Sequence, residues 1–143
     1  MTLADVNVLL HAFRRGAPDH TRYRAWLDAT IAGPEPFGVS ELVLSGVVRI
    51  ATGATFLQDA TAPDAALTYV EALRGHPRAR VVRPGPAHWR IFADLCRVSG
   101  ARGGLVADAY HAALAIEHGC EWITTDRDFA RFPGLRWRHP LDG

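Results

Sequence analysis

The sequence predicts an α/β fold, a three-layer α/β/α sandwich whose central sheet is mainly parallel. Two observations carry this. Short apolar runs of strand length alternate with longer segments in which apolar residues recur at helical spacing. Those segments are punctuated by Gly and Pro, which stop helices and open turns. Strands that alternate with helices are joined in parallel, with the helices covering both faces of the sheet. The length of 143 residues suits one domain spanning 1–143, and 48% apolar with 22% charged residues suits a packed core.

Taken in order, Leu3-Ala4-Asp5 is a short first strand, and Val6, Leu9, Leu10 and Phe13 form a helical stripe up to Gly16. Pro18-Asp19 restarts a helix with Tyr23, Trp26, Leu27 and Ile31 on one face, stopped at Gly33-Pro34. Pro36 to Val39 is extended. Ser40 is a good N-cap for a helix from Glu41 to about Ala51, apolar nearly all round and so expected to be mostly buried. Thr52 to Ala62 reads as a loop. Pro63 opens a helix with Leu67, Val70 and Leu73, ended by Gly75 and Pro77, and Arg80-Val81-Val82 is a strand. Pro84 and Pro86 precede a helix carrying Trp89, Phe92, Leu95 and Cys96 and closed at Gly100. Leu105 to His118 is a helix stopped by Gly119, and Trp122-Ile123-Thr124 is a strand. Asp126 to Phe132 makes one or two helical turns, and Leu135-Arg136-Trp137 is a last strand. Trp89, Trp122 and Trp137 are expected in the core.

Composition excludes several chemistries. All 16 basic residues are Arg, against ten Asp and five Glu, for a net charge of +1. A chain without lysine has no Walker-type phosphate loop, no Schiff base, no Ser-Lys pair and no lysine-assisted aspartyl phosphorylation. No apolar run is long enough to span a membrane, and Met1-Thr-Leu-Ala-Asp is no secretory signal. Cys96 and Cys120 fit neither a zinc nor a redox pattern, which suits core thiols in a reducing cytoplasm.

In parallel α/β sheets ligands bind beyond the carboxyl ends of the strands. Asp5 follows the first strand, and Glu41 lies in the first turn of the helix after the second. Asp126 follows the Trp122–Thr124 strand, with Asp128 two residues on, and Asp108 lies in the first turn of the Leu105 helix. Each acid alone also fits a helix cap. Together they suggest a shared edge where carboxylates repel one another unless a cation intervenes. Oxygen-only ligation favours Mg²⁺ or Mn²⁺ over Zn²⁺. That is the equipment for phosphodiester hydrolysis by a metal-activated water. His111 reads as a packed or surface histidine before a metal or acid role. Arg127, Arg131, Arg136 and Arg138 form a basic stretch suited to phosphate, although solvated surface arginine is the ordinary reading.

The opening Asp5-Val-Asn7-Val-Leu-Leu, the run Leu105-Val-Ala-Asp108-Ala-Tyr-His-Ala-Ala-Leu-Ala-Ile-Glu-His-Gly119 and Thr124-Thr-Asp126-Arg-Asp128-Phe-Ala-Arg-Phe-Pro-Gly-Leu135 resemble, in this order, the PIN-domain family. More closely they resemble its VapC toxins, from type II (VapBC) toxin–antitoxin modules. The likeness runs from Asp5 to about Pro140. It implies an Mg²⁺-dependent endoribonuclease, a VapB-type antitoxin that inserts a segment into the acidic pocket, an RNA substrate and a homodimer. By position, Asp5 and Asp108 match the principal metal ligands. Asp126 matches a fourth acid that holds metal directly or through water, Asn7 and Thr125 match bracing polar residues, and Asp128 is able to share the role of Asp126. The family pattern has a Glu three residues before Arg49, where this chain has Gly46. Glu41 either supplies that second acid, with Gly46 leaving it room, or is only an N-terminal helix acid. The missing acid also leaves open a catalytically weak module that binds RNA or protein.

Overall fold

The computed structural model describes residues 1–54 and 59–142. The loop expected over Thr52–Ala62 therefore lies partly outside the described residues. Five strands, β1 (Thr2–Ala4), β2 (Phe37–Val39), β3 (Ala79–Val81), β4 (Glu121–Ile123) and β5 (Trp137–Arg138), form one sheet in the order β3-β2-β1-β4-β5. Every pairing is parallel. The helices are α1 (Val6–Phe13), α2 (His20–Ala32), α3 (Glu41–Thr52), α4 (Pro63–Arg74), α5 (His88–Ser99) and α6 (Gly104–Glu117), followed by a 3₁₀ turn over Arg127–Arg131.

The chain steps from β1 to β2 to β3 in one direction, with α1 packed on α2 and α3, and α3 on α4. It then returns through α5 and α6, which pack on each other, to β4 on the far side of β1. Right-handed crossovers in opposite directions put these two helix groups on opposite faces of the sheet. The expected three-layer sandwich follows. The order reverses between β1 and β4, and a crevice opens there beyond the strands' carboxyl ends.

Leu3, Trp122, Ile123 and Phe129 are almost fully buried and fix the middle of the sheet and the 3₁₀ turn against it. Phe129 packs on Trp122, ring centroids 5.5 Å apart. Gly100 ends α5 at φ 66°, a left-handed conformation for which glycine carries no side-chain penalty.

Several expectations shift. β1, β3 and β4 each lie one residue before the predicted spans and β5 one or two residues after its own, because strands this short are set by partners rather than by pattern. On α3, Val43, Leu44 and Val47 are buried but Leu42 is 52% exposed, so the helix is buried on one face rather than all round. Trp122 is core, Trp137 is half-buried and Trp89 is 69% exposed, because α5 offers its neighbours only one side. Cys120 is buried and Cys96 is half-buried, both as free thiols. No helix among the described residues is long and apolar enough to cross a membrane.

Candidate active site

The pairing of β1 with β4, Ala4 against Ile123, brings Asp5 and Thr124 side by side at the crevice. The Asp5 amide donates to the Ile123 carbonyl at 2.8 Å, continuing the ladder one residue past the strand. Asp5 is 8% exposed, and both carboxylate oxygens are engaged. Oδ1 accepts the Val6 N–H at 2.7 Å, capping α1, and Oδ2 accepts the Thr124 hydroxyl at 2.7 Å. Thr124 Oγ1 in turn accepts the Asp126 N–H at 3.0 Å. Asp126 Oδ1 accepts the Asp128 N–H at 2.8 Å and so caps the 3₁₀ turn. Cap and site are thus one arrangement for Asp5 and Asp126. Each carboxylate has about four lone-pair directions and keeps acceptor capacity free.

Asp108 comes from the other side. It is the fifth residue of α6, not in its first turn, because the helix begins at Gly104. Among the described residues nothing hydrogen-bonds its carboxylate. Burial, then Asp126, Asp5 and Asp128, push its pKa from 3.8 up to about 6, with Arg131 opposing. Burial also raises Asp5, against the Thr124 hydrogen bond. Four aspartates from β1, α6 and the turn after β4 therefore share one electrostatic site.

Such a site fits a hard divalent cation: its donors are oxygens, and its negative charge is under-compensated. Among the described residues no three acidic, histidine or cysteine side chains already converge on one point. Asp5, Asp108 and Asp126 are therefore neighbours but not a closed three-ligand cage. Two carboxylates with water completing the shell is the arrangement Mg²⁺ commonly takes.

Glu41 is not part of this group. Its carboxylate is held by Arg74 at 3.0 Å and Arg83 at 3.3 Å, tying α3 to α4 and to the segment after β3. Its charge is not among those that raise Asp5 and Asp108. Gly46 lines an open cleft beside Val6, and a Cβ there would come to 3.0 Å from Val6 Cγ2, so a larger residue would need only a small shift of that side chain. Asn7 is exposed, Thr125 is half-buried, and neither side chain makes a hydrogen bond among the described residues. The bracing hydroxyl belongs to Thr124 instead, one residue earlier, and sequence reasoning missed it. The register of β4 on β1 is the signal that would have found it. His111 is the packed histidine expected, its ring stacked on Trp122 at 5.4 Å and its pKa lowered by burial. The open cleft, of about 720 Å³, is lined by Val6 and Ala107, the chain neighbours of Asp5 and Asp108, and by Gly46, Arg49, Tyr110 and His111 among others; the acids themselves do not line it.

Residues 2–135 match the family model described as PIN domain. The chain is similar to Ribonuclease VapC43 of Mycobacterium tuberculosis, 42% identical over 143 residues, covering all of this chain and 97% of that one. It is 38% identical to Ribonuclease VapC31 of the same species, over 98% of this chain and 99% of that one. Among solved structures it superposes on a chain of VapBC2 from Rickettsia felis bound to a promoter DNA fragment. The TM-score is 0.70 at 16% identity, over 96% and 97% of the two chains.

Proposed function

The chain belongs to the PIN-domain family, in its VapC group, and on that premise we propose that it is an Mg²⁺-dependent endoribonuclease acting as the toxin of a VapBC-type module. Asp5 and Asp108 would hold the cation, with Mn²⁺ able to replace Mg²⁺, and Asp126, with Asp128 beside it, would complete the site. The observation that carries this reading is the set of four aspartates at the switch point, with Asp108 pushed up to about 6 by burial and by its acidic neighbours. A bound cation would supply the positive charge that offsets the charge building up on the phosphate.

The chain's own groups do the positioning. The Thr124 hydroxyl fixes Asp5 Oδ2 and, through the Asp126 amide, ties the two acids to one geometry. The α1 N-terminus behind Asp5 favours its ionised form. Asp126, with Asp128 able to share its role, would orient the attacking water and take up its proton.

The partner is a VapB-type antitoxin, and the assembly contains a homodimer. Support for the antitoxin comes from the relatives' group and from a structural neighbour described as VapBC2. A cytoplasmic site of action accords with an RNA target. The second reading, a module that binds RNA or protein and cleaves weakly, draws on Gly46, where this chain lacks the family's acid.

One experiment separates the two. Purified protein is incubated with total cellular RNA in Mg²⁺, in excess EDTA, and as Asp5→Asn. Cleavage in Mg²⁺ alone, lost in the other two, is expected. Cleavage that persists in EDTA or in Asp5→Asn refutes the metal-dependent mechanism, and binding without cleavage in Mg²⁺ favours the second reading.

A further inference from the structure

Four arginines crowd the C-terminal stretch beside the acids, and the structure separates them. Arg127 is clamped by both carboxylate oxygens of Asp142, each at 3.2 Å. Arg138 gives Nε and Nη2 to Glu121 Oε1, both at 3.3 Å. Arg136 donates to the Gly119 carbonyl at 2.6 Å. Arg131 differs: its nearest partner is Asp128 Oδ1 at 3.7 Å, too long for a hydrogen bond, and its side chain is 47% exposed. Among the described residues its guanidinium donors are uncommitted.

Its backbone, by contrast, is anchored. Arg131 ends the 3₁₀ turn that Asp126 caps, and it sits between Phe129 and Phe132, 1% and 2% exposed. The turn thus carries a cation to the rim of the acidic site on a rigid base and leaves its head free to move. A guanidinium with free donors next to carboxylates is suited to a planar, bidentate grip on a phosphate.

We propose that Arg131 is the residue that grips the scissile phosphodiester of the RNA, leaving Asp128 to place its donors on the non-bridging oxygens next to Asp108. This rests on the ribonuclease reading above and adds to it a protein cation that meets the substrate at the site. The alternative is that Arg131 only steadies the turn through Asp128.

The test compares wild type, Arg131→Ala and Arg131→Lys on total cellular RNA in Mg²⁺, as kcat/KM over a salt series, with Tm recorded for each. Arg131→Ala is expected to lose on the order of 10²-fold in kcat/KM at unchanged Tm. Its plot of log kcat/KM against log salt should be shallower by about 0.7, the slope of one phosphate contact on a single strand. Arg131→Lys keeps the charge without the fork, so it should keep the wild-type slope and recover part of the rate. It decides the matter if the alanine variant does not fold. Wild-type kcat/KM in Arg131→Ala overturns the proposal. So does a loss accompanied by lower Tm and an unchanged slope, which is the signature of a structural role. If wild type itself does not cleave, the ribonuclease reading fails and this one with it; if wild type cleaves and Arg131→Ala equals it, only the role of Arg131 fails.

Discussion

Replacing Asp108 by Asn should stabilise the metal-free protein while abolishing cleavage. The folded-state pKa of Asp108 stands at about 6 against an ordinary 3.8, raised first by burial and then by Asp126, Asp5 and Asp128. Because the pKa is raised, the favourable contribution of the group is fully present below pH 3.8 and is lost as pH rises through 6. Two units at 1.36 kcal/mol each give about 3 kcal/mol. Asp108 is only partly buried, and screening by water roughly halves that to about 1–2 kcal/mol. For a chain of this length the gain is about 5 °C in Tm. The assay is thermal unfolding of wild type and Asp108→Asn in EDTA at pH 4 and pH 8. The stabilisation should be near zero at pH 4 and complete at pH 8. A drop in Tm at pH 8, or an equal gain at both pH values, would refute the view that Asp108 sits in uncompensated negative charge.

Three further outcomes follow from the same geometry. Thr124→Val removes the hydroxyl that serves both Asp5 and the Asp126 amide. It should cost about 2 kcal/mol in denaturant unfolding and raise the Mg²⁺ concentration needed for half-maximal cleavage. Glu41→Gln breaks only exposed ion pairs with Arg74 and Arg83, so unfolding should show a loss under about 1 kcal/mol, with RNA cleavage rates unchanged. Mg²⁺ at about a hundred times its Kd should raise wild-type stability by about 2.7 kcal/mol, seen as a Tm shift that is absent in Asp108→Asn.

Much of the architecture was legible because it depends on local pattern. Helical stripes and short apolar runs placed every element, and their alternation required a parallel sheet with two helical layers. The strands displaced by a residue or two, β1, β3, β4 and β5, are three or two residues long, and their limits are decided by the neighbour they pair with. Trp89 defeats the same reasoning: an aromatic on an apolar stripe is expected inside, yet α5 has a neighbour on one side only.

By itself the sequence determined the fold class, the family and the chemical vocabulary. It supplied acids after the strands and no lysine among its cations, which leaves a divalent metal and arginine to answer the charge of a phosphate. The tertiary structure decided which of those groups meet. The register of β4 on β1 set Thr124 rather than Thr125 against Asp5. Competition for partners across distant segments drew Glu41 to Arg74 and Arg83, clamped Arg127 and Arg138, and left Arg131 free at the rim. Periodicity is a property of neighbours in the chain. Register and the pairing of charges are properties of neighbours in space, and no local pattern encodes them.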